Sequence, residues 1–232
     1  MTQELKKRII TSFLLFLLAI FCIFINYTIF LIAIFLVSGL AFYEISLITY
    51  RIIGYNFLLG LLCLLYVFGI FAFTASGLYL LLGPVFFLYI LSICICSDIG
   101  GYIIGKIIGG RKLTKISPNK TISGSIGSFC FSIAPFLIFY NFDKSEYSYS
   151  INNFLLCLGV SLVCQLGDIF ISYLKRKAKV KDTGRILPGH GGILDRIDGI
   201  IFAIPFAYIY HIGLTDYFEI WIEIISNAFK NL

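Results

Sequence analysis

Between Arg8 and Glu44 the chain carries no charged residue. About 20 apolar residues cross the hydrocarbon core of a bilayer once, so residues 9–43 are too long for one perpendicular span and about right for two short ones. Asn26-Tyr27 is the polar break within this stretch, which predicts a helical hairpin turning there. A secretory leader begins in the same way. Here no small-residue cleavage site follows the first apolar run and a second run comes at once, so the segment reads as an uncleaved anchor.

The remainder follows the same pattern. Of 232 residues 59% are hydrophobic and 13% charged, and the mean hydropathy of +0.97 lies outside the range of soluble domains. Further spans are predicted over residues 52–73, 78–96, 122–140, 154–174 and 199–212, with Thr74-Ala75-Ser76-Gly77 as a turn and Gly83-Pro84 as a tolerated kink. The expected fold is all-α: a polytopic membrane protein of about seven transmembrane helices, in which residues 99–108 could add a short or re-entrant element. Residues 1–96 form a membrane region of four apolar helices. Residues 97–232 form a second region with two basic loops, 97–121 and 175–198.

A net charge of +6 alone could indicate nucleic acid, but its distribution points elsewhere. Twelve of the 18 basic residues fall in the windows 106–120 and 175–196, both between apolar spans, as the positive-inside bias requires of cytoplasmic loops. With Lys6, Lys7 and Arg8 inside, seven crossings also place Arg51 and both basic loops inside. The 74–77 turn, the 143–146 loop and the acidic Asp216, Glu219 and Glu223 then fall outside. The expected location is the cell (inner) membrane, with the functional face cytoplasmic. All seven cysteines sit in apolar runs, where an unpaired thiol behaves as a small hydrophobe, and neither a disulfide framework nor zinc-ligand spacing is read from them. Apolar residues at a helical period over 217–229 predict an amphipathic surface helix, and His211 and Trp221 read as interfacial. Gly101, Gly105 and Gly109 recur every four residues, giving a smooth helix face that could pack within the chain or across a homodimer.

Ionisable residues in apolar helices are costly and need partners. Asp168 stands in an otherwise uncharged run, and 3.6 residues per turn put Ser172, Lys175 and Lys179 on its face. The basic collar that follows leads into Gly184, then Pro188-Gly189-His190-Gly191-Gly192, then Asp195-Arg196-Ile197-Asp198. Glycines let backbone N–H groups approach a phosphate closely. Asp195 and Asp198, three apart at the start of the seventh helix, can aim at one Mg²⁺ held by carboxylates and substrate phosphates, with Asp168 contributing from the facing helix.

The run from Ser172 to Asp198, with Lys175, Arg176, Lys181, Asp182, Gly184, Pro188, His190, Gly191, Gly192, Asp195 and Arg196 at its fixed positions, resembles the signature of the phosphatidate cytidylyltransferases, or CDP-diacylglycerol synthases. Ser97-Asp98, Gly105 and Ser117-Pro118-Asn119-Lys120-Thr121 resemble that family's upstream block, although Ile122 and Ser123 stand where it usually has an aromatic and an acidic or amide residue. The likeness covers the chain from Ser97 onward. It implies transfer of CMP from CTP to phosphatidic acid, giving CDP-diacylglycerol and pyrophosphate. It also implies Mg²⁺ (or Mn²⁺) as cofactor, with a monovalent cation as a further candidate. In that reading Asp168 and Asp195 are metal ligands, with Asp198 third or outer. Lys175, Arg176, Lys181 and Arg196 hold phosphates, with Asp182 beside them, and His190 serves the pyrophosphate side. Asp98, Ser117, Lys120, Ser172, Gly191 and Gly192 bind substrate. The attacking lipid phosphate is already an anion at pH 7, so no general base is required, whereas two highly negative reactants need neutralisation.

Two other readings stand beside this one. A CTP-dependent lipid (polyprenol) kinase would use the same nucleotide differently. A small transporter would use Asp168 as its coupling site, but the polar residues gather at one face rather than at the bilayer midplane, and no inverted repeat is visible.

Overall fold

The computed structural model describes residues 3–114, 116–117, 120–139, 151–184, 186–187 and 191–213, with side chains from Phe13 onward. The 217–229 tail, the 143–146 loop and His190 lie outside the described residues. Helices dominate: α1 (Gln3–Ile25), α2 (Tyr27–Ile53), α3 (Phe57–Leu64), a π-helical stretch (Leu65–Ala72), α4 (Phe73–Ile108), α5 (Ile122–Ser132), α6 (Ala134–Phe139), α7 (Ile151–Lys177), α8 (Leu194–Ile197) and α9 (Ile200–Gly213). Among the described residues four helical runs are long and apolar enough to cross a membrane: Tyr27–Ile53, Phe57–Ile108, Ile122–Phe139 and Ile151–Lys177.

The first hairpin turns where expected. The Asn26 side chain accepts the Ile29 N–H at 2.8 Å and caps α2, so the polar residue that interrupts the apolar run also starts the next helix. Asn56 caps α3 in the same way, through the Leu59 N–H at 3.1 Å.

The next turn differs from expectation. Thr74–Gly77 is helical: the hydroxyls of Thr74 and Ser76 donate to the carbonyls of Ile70 and Ala72, so their polarity is satisfied inside the helix. Gly77 instead lies under the Tyr208 ring, where a Cβ would come within 2.6 Å of ring carbon. The 52-residue run Phe57–Ile108 turns back at Gly83, whose φ of 79° and ψ of 176° are non-helical, and Pro84 opens the returning segment, where its missing N–H costs nothing. The contacts establish the reversal. Tyr66 and Phe73 follow α9 upward, at Ile201 and Tyr208, and Phe86 meets His211 at its far end. Tyr89 and Ser97 then run down α7, at Cys157 and Ser161. Residues 99–108 continue this descending helix to Gly109, rather than forming a separate element.

The glycine face packs within the chain. A Cβ on Gly101 would meet the Ser128 hydroxyl, and one on Gly105 the Thr121 hydroxyl and Gly124, so α4 and α5 approach backbone to backbone. Gly109 stands apart from that face and ends α4 with φ 64°. The expected fifth span is Ile122–Phe139, with α5 and α6 meeting at a turn at Ile133. A buried polar chain ties the bundle together: Ser97 Oγ to Ser161 Oγ at 2.7 Å, Gln165 Nε2 to Ser161 Oγ at 3.3 Å, and Ser125 Oγ to Gln165 Oε1 at 2.6 Å. It locks α4, α5 and α7 one turn above the charged residues that follow.

Candidate active site

Among the described residues charged side chains collect at one end of the bundle. Asp98 near the foot of α4, Lys120 at the entry to α5 and Asp168 on α7 come together there. The Lys120 ammonium pairs with Asp168 Oδ2, and Asp168 Oδ1 accepts the Ser172 hydroxyl at 3.3 Å. Lys120 is delivered by a small hairpin in which Leu113 N–H bonds to Lys120 O at 2.8 Å and Ile122 N–H to Arg111 O at 3.0 Å. In that hairpin Ser117 accepts the Lys120 N–H at its carbonyl, and Ser123 bonds to the Gly109 carbonyl. The serine at the usually acidic position thus holds the end of α4 to the start of α5.

Past α7 the chain closes in a C-terminal cap. Val180 N–H bonds to Lys175 O and Lys179 N–H to Arg176 O, with Lys179 left-handed at φ 56°. Lys179 therefore leaves the face shared by Asp168, Ser172 and Lys175, contrary to the helical spacing. Arg176, Lys177, Lys181 and Asp182 are exposed around this turn.

Asp195 is the hub of the loop. Its Oδ1 accepts Lys175 Nζ at 2.8 Å, and its Oδ2 accepts Thr183 N–H at 2.8 Å, Gly192 N–H at 3.0 Å and lies 3.0 Å from the Thr183 hydroxyl. The Lys175 and Asp195 side chains are 13% and 8% exposed. Burial opposes ionisation of Asp195, but the bonds from Lys175, Gly192 and Thr183 outweigh it and hold its carboxyl below the ordinary carboxylate range. Gly191 takes φ 85° and lies so close beneath Asp195 that a Cβ would stand 2.7 Å from Oδ2. Gly192 is packed against Thr183 and Glu44, leaving no room for a side chain.

Asp198 hydrogen-bonds to Asp168, and burial together with the Asp168 charge pushes its carboxyl up to about 8. The spacing of Asp195 and Asp198 had suggested a common target. In the structure both lie near Lys175, Asp195 through a direct bond and Asp198 through its charge, while Asp198 also faces Asp168.

Sequence reasoning missed Glu44. This carboxylate on α2 is fully buried and accepts the Thr183 hydroxyl at 2.6 Å, Ile193 N–H at 3.0 Å and Leu194 N–H at 2.9 Å. The signal was available, since a carboxylate inside an apolar helix requires partners. The site therefore takes side chains from both sequence regions.

Among the described residues no three His, Cys, Asp or Glu side chains close a metal site by themselves. Asp168 and Asp198 nevertheless bring two carboxyl groups together, oxygen donors that suit a hard divalent cation once Asp198 gives up its proton.

Beside this end lies a cleft of about 370 Å³, lined by Ile45, Thr49, Leu59, Tyr66, Phe170, Leu174 and Phe202, with Lys177 among its edges.

A sequence model of the cytidylyltransferase family matches residues 50–213. The chain is 47% identical over 126 residues to the phosphatidate cytidylyltransferase of Staphylococcus aureus (strain COL), covering 52% of this chain and 46% of that one. It is 38% identical over 156 residues to the protein of that name from Helicobacter pylori (strain ATCC 700392 / 26695), covering 67% and 56%. With the Bacillus subtilis (strain 168) protein of that name it shares 44% over 124 residues, covering 52% and 46%. The chain spans about half the length of these relatives. The matched region takes in most of α2's end through α9, and with it Asp98, Lys120, Asp168, Lys175, Asp195 and Asp198, so the chain belongs to the cytidylyltransferase family.

Proposed function

We propose that this chain transfers CMP from CTP to phosphatidic acid, releasing pyrophosphate and forming CDP-diacylglycerol. The observation that carries the reading is the meeting of carboxylates and ammonium groups at one end of a membrane helix bundle, beside an apolar cleft. In the reaction a phosphate oxygen of the lipid attacks the α-phosphorus of CTP while the bond from that phosphorus to the pyrophosphate oxygen breaks. Both reactants are polyanions, so the protein's task is to neutralise and align. Lys175 is already held at 2.8 Å by Asp195 and is oriented without loss of side-chain freedom on binding. Arg176, Lys181 and Arg196 add positive charge around the loop, and Lys120 adds it beside Asp168.

Asp168 and Asp198 would hold Mg²⁺, with Asp98 nearby. Bound there, the ion would neutralise phosphate charge and polarise the bond to the leaving pyrophosphate. Asp195, whose oxygens are taken by the chain's own donors, serves in this reading to fix Lys175 and the loop. The acyl chains would lie in the cleft at Tyr66, Phe170 and Phe202, reached sideways from the bilayer, with Lys177 near the headgroup.

Seven crossings follow if the reversal at Gly83 divides the long run in two and α1 and α9 also span. The start of α1 and the end of α2 with Arg51 then fall on the side of the site, which favours the cytoplasmic face of the cell membrane.

The test is incubation of detergent-purified protein with α-labelled CTP, phosphatidic acid and Mg²⁺, beside Asp168→Asn. Label entering the lipid phase, dependent on metal and lost in the variant, is expected. Transfer from γ-labelled CTP instead would mean a lipid kinase, and no transfer by folded protein from either position would refute the proposal.

A further inference from the structure

We infer that Glu44 is the positioning residue of the loop that carries Asp195 and Asp198, an inference that rests on the CMP-transfer reading for its kinetic consequence. Glu44 does not touch the Asp168–Asp198 pair or Lys175. It reaches the loop at both ends: the Thr183 hydroxyl on the incoming strand, and the Ile193 and Leu194 N–H groups where the α8 turn begins. Thr183 has one hydroxyl hydrogen and lies 2.6 Å from Glu44 Oε2 and 3.0 Å from Asp195 Oδ2. The shorter contact takes the hydrogen, since Asp195 Oδ2 already has the N–H groups of Thr183 and Gly192. Glu44 and Asp195 are thus two acceptors gripping one residue from opposite sides.

The loop backbone is shaped to this grip. A Cβ on Gly184 would stand 2.5 Å from Glu44 Oε1, and one on Gly192 would run into both Glu44 and Thr183. Gly184 and Gly192 therefore admit a carboxylate from another helix into the interior of the loop. Because α2 supplies it, the geometry of the loop is set by a helix from the N-terminal region, across a sequence separation of about 140 residues.

Glu44→Gln tests this. The amide keeps one acceptor oxygen: at the Oε2 position it retains Thr183 and Leu194, and its NH₂ then faces the Ile193 N–H, so at least that bond is lost at nearly constant volume. Expected are a kcat reduced at least tenfold with KM for phosphatidic acid within twofold, a melting temperature near that of wild type, and amide exchange at Ile193 at least tenfold faster with α7 amides unchanged. Adding Thr183→Ala to Glu44→Gln should cost less than the two single losses combined, because both act through one contact. Wild-type kcat and exchange in Glu44→Gln would overturn the inference, as would a kcat loss matched by equally faster exchange throughout α7. If Glu44→Gln does not fold, Thr183→Val removes one link alone, and an unchanged kcat there counts against the inference. Should wild type show no CMP transfer, the functional proposal fails while the exchange experiment still decides the role of Glu44.

Discussion

Replacing Asp195 by Asn should cost about a hundredfold in transfer rate, and the structure says where the loss arises. The carboxylate divides its work: Oδ1 for Lys175 Nζ, Oδ2 for the Thr183 and Gly192 backbone. An amide can supply one oxygen. If it keeps the backbone, its NH₂ faces an ammonium that is only 13% exposed; if it keeps Lys175, the two N–H groups lose their acceptor. Breaking a buried ion pair from one side costs about 3–5 kcal/mol, and this pair sits at the bundle's edge, so about 3 kcal/mol is a fair figure. At 1.36 kcal/mol per tenfold, that is about 10²-fold if it falls on the rate. Lys175→Met should lose somewhat less, because Asp195 would retain two backbone donors, the Thr183 and Gly192 N–H groups. The double variant should be little worse than Asp195→Asn alone, a coupling of about 2 kcal/mol. The assay is initial-rate incorporation of α-labelled CTP into lipid for wild type, both single variants and the double. Asp195→Asn within threefold of wild type, or strictly additive losses, would refute the reasoning.

Other outcomes follow from single positions. Lys179→Gly should raise stability by about 1 kcal/mol with activity unchanged, because the left-handed cap conformation costs a Cβ-bearing residue that much; thermal unfolding in detergent checks it. Gly124→Val should destabilise by at least about 1–3 kcal/mol, since even its Cβ would come 2.8 Å from the Gly101 carbonyl, and a variant melting with wild type would exclude close α4–α5 packing. Asp198 has its carboxyl raised from 3.8 to about 8, so the folded metal-free protein binds a proton more tightly than the unfolded chain. Its stability should therefore fall as pH rises through that interval. Mg²⁺ binding at pH 7 should release a proton, with apparent affinity rising with pH until about 8 and then levelling. Titration in weak buffer measures the release, and Asp198→Asn should abolish it.

The expected elements were legible to the degree that hydropathy and capping decide them. Asn26 is both the break in an apolar run and a good N-cap, so two independent causes put the hairpin there. At Thr74–Gly77 polarity alone suggested a turn, but in a membrane helix short hydroxyls return their hydrogen to the preceding turn and small residues admit a neighbouring ring. Gly83-Pro84 is the stronger signal, because a left-handed φ followed by a residue with no N–H cannot continue a helix.

The site shows the same division. Asp168 was found because a charge in an apolar run requires a partner, and Lys120 from the α5 entry is that partner. The same principle applied to Glu44 would have found it too, but Glu44 stood at the end of the uncharged stretch and served as its boundary. Helical spacing misplaced Lys179, since a cap had already ended α7. Spacing along the chain locates partners only while one helix lasts. The described part of the loop between Lys179 and Asp198 is bonded by Asp195 and by Glu44 of α2, with Asp168 of α7 facing Asp198, and those assignments had to come from three-dimensional contacts.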